Sequence, residues 1–339
     1  PTDDHSPGTS SAATSPPAKR QRTSSSTSFA SAGIPIFSST RYINNVPVEV
    51  WRDQICTPFL CLTDLSILRR CHTFFDKYWH NLMKRNVIRV PHGCPTVERA
   101  MVLAAIFSER KDYTEADPLK IRLDEGVHEI VGNNKTLNVT CSHVTFVGEA
   151  KNQTTIHGGF KVHNQQGVTF DELTVSNPCG NGLRLWGSET HVEVLKCTVK
   201  ECGNYGVYAH GGVTVTATQC QFIKNSGSGM VCSDANTKVG LTDSTVHHNG
   251  SDGLWADLDA VVDLRGTKMD FHSNKEDGIY ATENAKVNIH LPSEHNTSHD
   301  NNDGDRVQER GGSIANINAD GTFTHVVVEE DDDADDDSL

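Results

Sequence analysis

A glycine followed by an apolar, a variable and an apolar residue recurs six times along the chain. These glycines stand 23, 24, 23, 24 and 25 residues apart, and they are Gly159, Gly182, Gly206, Gly229, Gly253 and Gly278. Within each unit, apolar and variable positions alternate with a period of two, which predicts a strand rather than a helix. Two further short alternating segments lie in each interval, for example residues 192–194 and 197–199. The pattern therefore predicts three short strands in every interval.

Self-similarity at a nearly constant interval is typical of a solenoid, in which each repeat buries its apolar face against its neighbours. Three short strands and three turns take up about 24 residues, which is one coil of a parallel β-helix. Leucine-rich repeats have a similar length, but their leucine and asparagine signature is absent. We therefore expect a mainly β protein with a parallel β-helix over residues 119–325.

Equivalent residues of stacked coils lie about 4.8 Å apart and form ladders. The first and third positions after each glycine are apolar throughout and are predicted to point inward; they are Phe160, Leu183, Val207, Met230, Leu254 and Ile279, then Val162, Leu185, Ala209, Cys232, Ala256 and Ala281. Cys197 and Cys220 also fall on an inward position, so we expect buried thiols rather than disulfides. This cysteine usage favours a reducing compartment, and we predict a nuclear or cytoplasmic location. A structural asparagine ladder is predicted at Asn225, Asn249 and Asn274.

Residues 96–111 predict an amphipathic helix capped by Thr96, which would cover the exposed first coil. The order that follows, a strand ending in a glycine turn, then "VTFVGE" and "TTIHGG", resembles the usual opening of right-handed parallel β-helices. This resemblance spans roughly residues 96–290. Many proteins of this fold are polysaccharide lyases or hydrolases. However, the paired aspartates, Gly-His-Gly and Arg-x-Lys of the polygalacturonase-like enzymes are missing, so we predict no catalytic residues.

The variable position of each unit is predicted to point outward, and here one ladder departs from ordinary solvent-facing chemistry. It contains cations and large aromatics, namely Lys161, Arg184, Tyr208, Trp255 and Tyr280, with Val231 between them. Arginine, tyrosine and tryptophan are the usual anchors of protein interfaces, so we predict a partner-binding strip. Two alternatives stay open: the aromatics simply stabilise a β surface, or they stack on sugars.

Charge and composition limit the remaining function classes. The chain of 339 residues has a formal net charge of −14, and residues 329–337 carry eight of the negative charges. An acidic chain of this kind is not expected to bind nucleic acid, and no apolar run is long enough to span a membrane. Histidines occur at 247–248 and within 294–299, but neither segment has a complete ligand set at zinc spacing. We therefore predict neither a metal nor any other cofactor.

Residues 46–86 resemble an F-box, a small three-helix module that docks onto the Skp1 adaptor of cullin ubiquitin ligases. The match includes Val46-Pro47 at the start, Asp64-Leu65 in the middle and aromatic residues near the end. The first residue of the pattern is valine instead of leucine, and Pro58 stands where the first helix would end. The resemblance implies adaptor contacts at Pro47, Ile55, Leu60, Leu65 and Leu68. The alternative is that this segment extends the cap of the β-helix.

The chain is thus divided into a disordered Ser/Thr/Pro-rich arm (1–40), an F-box-like helical module (41–90), a capping helix with linker (91–118), the β-helix (119–325) and an acidic disordered tail (326–339). An F-box followed by a right-handed β-helix resembles substrate receptors of ubiquitin ligases. This implies a non-catalytic recognition subunit that binds a Skp1-like adaptor and cullin complex through one domain and an unknown target protein through the other. The alternative function is a carbohydrate-binding or carbohydrate-active β-helix, for which fold analogy is the reason.

Overall fold

A computed structural model describes residues 42–43, 46–47, 86–290, 297–318 and 321–325. The predicted arm, the predicted acidic tail and most of the F-box-like module lie outside these residues. The same holds for four of the five predicted adaptor contacts, which are Ile55, Leu60, Leu65 and Leu68. The predicted F-box therefore stays a prediction.

The chain divides into two compact units, residues 1–51 and residues 52–339. The described part of the first unit is an antiparallel ladder of two short strands, β1 (Tyr42–Ile43) and β2 (Val46–Pro47). Pro47, the first predicted adaptor contact, thus lies in a strand.

The described part of the second unit is a parallel β-helix with three sheets. Sheet I has eleven strands: β3 (Val87–Val90), β4 (Leu119–Leu123), β7 (Val144–Val147), β10 (Val168–Asp171), β13 (His191–Leu195), β16 (Thr214–Thr218), β19 (Lys238–Thr242), β22 (Val261–Arg265), β25 (Lys286–His290), β28 (Ser313–Ile317) and β29 (Phe323–His325). Sheet II has eight: β5 (Gly126–Glu129), β8 (Thr154–His157), β11 (Thr174–Ser176), β14 (Thr198–Lys200), β17 (Gln221–Ile223), β20 (Thr245–His247), β23 (Asp270–His272) and β26 (Ser298–His299). Sheet III also has eight: β6 (Thr136–Val139), β9 (Gly159–His163), β12 (Leu183–Trp186), β15 (Val207–His210), β18 (Met230–Cys232), β21 (Leu254–Ala256), β24 (Ile279–Ala281) and β27 (Arg306–Gln308).

The predicted inward positions form the core. All twelve residues at the first and third positions after the repeating glycines are fully buried. In the early coils, the rings of Phe146, Phe160 and Phe170 pack against one another with centroids 4.8 to 5.3 Å apart. Cys197, Cys220 and Cys232 are buried free thiols, and burial raises the pKa of Cys220 to about 11. The predicted role of these cysteines as small apolar residues is confirmed.

The asparagine ladder is also confirmed, and it explains why the glycine recurs. The Asn249 amide donates to Asn274 Oδ1 at 3.0 Å, and Asn249 Oδ1 accepts from the Asn225 side chain at 3.0 Å. A Cβ at Gly206 would lie 2.8 Å from Asn225 Nδ2 and 2.5 Å from a backbone carbonyl oxygen, and Gly253 meets Asn274 in the same way. These two glycines therefore leave the space that the asparagine of the next coil needs.

The capping helix α1 spans Val97–Ser108, and Thr96 Oγ1 accepts from the Arg99 amide as the predicted N-cap. Its apolar face is buried, including Val97, Met101 and Phe107. Strand β3 precedes this helix and pairs in parallel with β4. The sequence analysis assigned residues 87–90 to the F-box-like module, but their pairing makes them the first strand of sheet I. At the other end, β29 pairs antiparallel with β28 and covers the open edge of that sheet.

Candidate binding surface on sheet III

The predicted outward strip forms one continuous row on sheet III. Neighbouring strands pair Lys161 with Arg184, Arg184 with Tyr208, Tyr208 with Val231, Val231 with Trp255 and Trp255 with Tyr280. Each of these residues stands between two inward residues of its strand, so the pleat turns it to the outer face. Arg184 is exposed, the other polar and aromatic members are half-buried, and Val231 is buried at 3% exposure. We call this row the sheet III strip.

The N-terminal end of the strip is basic and aromatic. The Arg184 guanidinium carbon lies 5.3 Å from the ring centre of Trp186 and 5.9 Å from that of Tyr208. A guanidinium at this distance is attracted by the negative face of an aromatic ring. Lys161 occupies the adjacent position on the preceding coil. This end can therefore offer two positive charges on an aromatic platform.

A second outward row lies on sheet III, and none of its residues is among the predicted site residues. It lies two residues further along the same strands and contains His163, Trp186 and His210, whose rings stack with centroid distances of 4.9 and 6.1 Å. His210 also stacks on Tyr208 at 4.5 Å. The signal was available, because the strand alternation makes the fourth position after each glycine outward as well as the second. The predicted strip contains only the residues at the second position after each glycine.

The electrostatics of this aromatic platform favour a neutral His210. Burial and the nearby Arg184 charge lower its pKa, although Asp234, whose Oδ2 lies 3.7 Å from His210 Nδ1, acts in the opposite direction. The Nε2 atom of His210 is buried and has no hydrogen-bond partner among the described residues. A partner bound on this face would therefore contact the neutral aromatic ring of His210, because the Nε2 atom itself is covered.

The C-terminal end of the strip is an acidic groove. Trp255 and Tyr280 pack with ring centroids 6.5 Å apart beside a groove of about 350 Å³. The other residues that line the groove are Ser251, Asp252, Glu276, Asp277, Asp303, Val307 and Glu309. This lining has five carboxyl groups and neither lysine nor arginine. The two ends of the strip therefore have opposite charge, with Val231 between them.

Individual groups in this groove are held in place to different degrees. The Tyr280 hydroxyl donates to Glu309 Oε2 at 2.7 Å, and burial together with Glu309 raises the pKa of Tyr280 to about 12. Asp252 is buried, accepts from Ser228 Oγ at 3.1 Å, and has a pKa raised by burial. The Trp255 indole nitrogen is buried, and no residue in the described part of the chain accepts a hydrogen bond from it. The groove thus contains carboxylate acceptors that are held in place and one buried N–H donor, on Trp255, that has no partner among the described residues.

Carboxylates outside the groove are spread over different faces. Asp263 lies on sheet I, where its Oδ1 accepts from Asn288 at 3.1 Å and lies 2.9 Å from His290 Nε2. Asp270 lies on sheet II beside histidines. These two carboxylates therefore lie on different sheets.

A group that could hold a metal ion occurs on sheet II. Nitrogen atoms of His247, His248 and His272 all lie within 4.8 Å of one another. The local sequence predicts no complete ligand set at His247 and His248, because the third imidazole comes from the next coil, 24 residues after His248. Spacing rules based on local sequence do not find ligands brought together by coil stacking.

Comparison with known proteins identifies the repeat region. Residues 125–243 match the family model described as "Right handed beta helix region". No curated protein matches the chain. Solved structures with similarity include ORF18 of Geobacillus virus E2, with 10% identity and a TM-score of 0.45 over 73% of this chain and 64% of that chain. The chain therefore covers less than two thirds of that viral protein.

Two A-modules of mannuronan C-5 epimerases from Azotobacter vinelandii are also similar. AlgE4 has 14% identity and a TM-score of 0.36 over 67% of this chain and 79% of that chain. AlgE6 has 13% identity and a TM-score of 0.25 over 69% of this chain and 92% of that chain. Together with the parallel sheets, the family match shows that the chain contains a right-handed parallel β-helix domain.

Proposed function

We propose that the chain is a recognition protein whose sheet III strip binds an extended segment of a target protein. The observation that supports this most is the continuous register that aligns a basic aromatic end and an acidic aromatic groove on one face. Aromatic and arginine side chains supply most of the binding energy in protein interfaces. The opposite charges at the two ends favour one orientation of the target.

The stacking distance defines the target further. Arg184 is three coils from Trp255 and four from Tyr280, which corresponds to about 14 to 19 Å along the β-helix. An extended peptide rises about 3.4 Å per residue, so this span equals about four to six residues. We therefore propose a target segment with acidic residues that face Arg184 and Lys161, followed about four to six residues later by a lysine or arginine in the acidic groove.

The test is a fluorescence polarisation titration of the full chain with synthetic peptides of this design. A peptide with an acidic pair, a five-residue spacer and a basic pair is expected to bind, and a peptide of the same length with two acidic pairs is expected to bind at least 10-fold more weakly. Trp255→Ala is expected to weaken binding about 10- to 100-fold, as is typical of an interface anchor. The control is Gln221→Ala, an outward residue of sheet II. Equal binding of both peptides would exclude the proposed charge complementarity.

We further propose that residues 46–86 dock a Skp1-like adaptor, so that the bound target is presented to a cullin ubiquitin ligase. The support for this step is the sequence resemblance of 46–86. Such a protein raises the effective concentration of target lysines near the ligase and needs no active site of its own. A pulldown with purified adaptor tests it, and Leu65→Asp is expected to abolish capture while peptide binding by the strip persists. If the wild-type chain captures no adaptor, this step is wrong and the strip proposal is unaffected.

A carbohydrate ligand is the second candidate, and the groove at Trp255 and Tyr280 favours it, since aromatic rings stack on sugars beside carboxylate acceptors. Glycoside hydrolysis needs two carboxyl groups that flank the scissile bond. A glycan array and a reducing-sugar release assay test binding and turnover separately. Glycan binding that Trp255→Ala removes, without any peptide binding, would replace the protein-target proposal.

A further inference from the structure

The histidine cluster lies on the outer face of sheet II, away from the row that defines the binding strip. His247, His272 and His299 end the consecutive strands β20, β23 and β26 and pair in register. Their rings stack, with centroids 4.6 Å apart between His247 and His272 and 5.4 Å apart between His272 and His299. Three imidazoles are thus presented in line by three successive coils.

A fourth imidazole reaches the cluster because of the turn that follows β20. His248 has a φ of 56°, and the same turn position has a positive φ in neighbouring coils, at Lys224, Ser273 and Asp300. This left-handed residue ends the strand, so the His248 ring does not continue the alternation to the opposite face. It comes back edge-on to both His247 and His272, with interplanar angles of 76° and 85°.

The nitrogen atoms converge as a result. His247 Nδ1 and His248 Nδ1 lie 2.8 Å apart, and the three ligand atoms of His247, His248 and His272 lie within 4.8 Å of one another. Two ligands of a tetrahedral ion with bonds of about 2.0–2.1 Å are separated by roughly 3.3 Å. The His247–His248 pair is closer than this separation, so these partly exposed side chains would have to rotate to seat an ion between them.

The charge state of the cluster suits metal coordination. A carboxylate lies nearby, because Asp270 Oδ2 is 3.9 Å from His272 Nε2 and Asp270 Oδ1 is 3.1 Å from His299 Nε2. An anion beside imidazole ligands is a common feature of metal sites, where it orients the rings and offsets the positive charge.

We propose that His247, His248 and His272 form a binding site for a divalent transition-metal ion of the zinc type. Imidazole ligands favour Zn²⁺, Cu²⁺ and Ni²⁺ over Ca²⁺ and Mg²⁺, which prefer oxygen ligands. Three protein ligands leave one tetrahedral position for water or an external group. The ion would link two successive coils of sheet II.

Isothermal titration of ZnCl2 into the full chain tests the site, with the purification tag removed and the protein treated with chelator. Because other parts of the chain can also take up zinc, the comparison is between variants. Wild type and the control His290→Gln, at the end of a sheet I strand, are expected to bind one zinc ion more than His272→Gln. Loss of a ligand is expected to weaken this site at least about 100-fold, which exceeds the usual effect of losing an orienting partner. CaCl2 is expected to show no difference between these proteins.

His248→Gln, at an exposed turn position, provides a second variant if His272→Gln perturbs folding, which thermal unfolding with chelator present reveals. Anomalous scattering from zinc-soaked crystals gives an independent readout, with a peak expected about 2.0–2.1 Å from the imidazole nitrogens. Equal zinc stoichiometry and affinity in wild type and both variants would overturn the proposal. A crystal without a zinc peak at the cluster would do the same and would leave a hydrogen-bonded histidine ladder.

Discussion

The asparagine ladder and the sheet III strip are both rows of one residue per coil, but they differ in how completely their polar atoms are satisfied. Asn225, Asn249 and Asn274 are buried, and their side chains hydrogen-bond to the next coil and to the backbone. The strip is half-exposed, and the Trp255 indole nitrogen has no partner among the described residues. Repetition therefore does not by itself indicate function. A buried row with saturated hydrogen bonds indicates a structural ladder, whereas a half-exposed row of cations and aromatic rings indicates a surface for a partner.

The largest effect on stability is expected when the asparagine ladder is interrupted. Asn249→Ala removes the acceptor of the Asn225 backbone and side-chain amides, and also the donor to the Phe222 carbonyl. Leaving these buried groups without partners is expected to lower the free energy of unfolding by about 3–4 kcal/mol. Urea denaturation measures this change. Asn302→Ala, at an exposed asparagine, is the control and should cost less than about 0.5 kcal/mol. Similar losses for both variants would remove the basis for calling the ladder structural.

The buried thiol of Cys232 tests the packing of the apolar core, which also repeats once per coil. Cys232→Ser places a hydroxyl in a fully buried position between Ala209 and Ala256, which is expected to cost about 1–3 kcal/mol of unfolding free energy. Cys232→Ala continues the alanine ladder and should cost less, below about 1.5 kcal/mol. Thermal unfolding of the two variants in parallel measures the difference. A serine variant as stable as the alanine variant would mean that this position is hydrated.

The histidine row of sheet II, formed by His247, His272 and His299, is less buried than the asparagine ladder. Its contribution to the stability of the fold should depend on pH. The pKa of His247 is lowered to about 4 in the folded chain, mainly by burial and then by His272 and His248, while Asp270 opposes the shift. An unfolded histidine has a pKa of about 6.5, so the unfolded chain binds more protons between these values. The stability contribution is therefore present above about pH 6.5 and is lost as the pH falls toward 4.

Because the His247 ring is partly exposed, we expect the free energy of unfolding to fall by only roughly 1–2 kcal/mol between about pH 6.5 and 4. Urea denaturation at several pH values in the presence of a chelator measures it. His247→Gln should flatten this part of the profile, whereas His191→Gln, at an exposed histidine of sheet I, should leave it unchanged. A wild-type profile identical to that of His247→Gln would contradict the lowered pKa.

The smallest effect on stability is expected on the strip, where binding should change instead. Trp255→Ala and Tyr280→Ala remove half-exposed rings and should each lower the unfolding free energy by less than about 1 kcal/mol. Binding of the charge-patterned peptide should fall about 10- to 100-fold in the same variants. A large loss of stability with unchanged binding would assign the aromatics to surface stabilisation, the alternative that the sequence left open.

The sequence by itself determined the repeat length, the inward positions and the asparagine ladder, because each depends on short-range alternation and on one glycine per coil. It also identified the sheet III strip at the second position after each glycine, since one strand period is enough to assign a side chain to a face. The N-cap of α1 at Thr96 followed from local capping chemistry in the same way.

Only the tertiary structure decided which outward residues meet across coils. It brought His272 beside His247 and His248, and it placed carboxylates from three successive turns around Trp255 and Tyr280. It also paired residues 87–90 with β4 of sheet I, although the capping helix lies between the two strands in the sequence. These contacts connect residues about 25 to 50 positions apart. They depend on strand register and on the direction each turn gives to its side chains, neither of which a local pattern specifies.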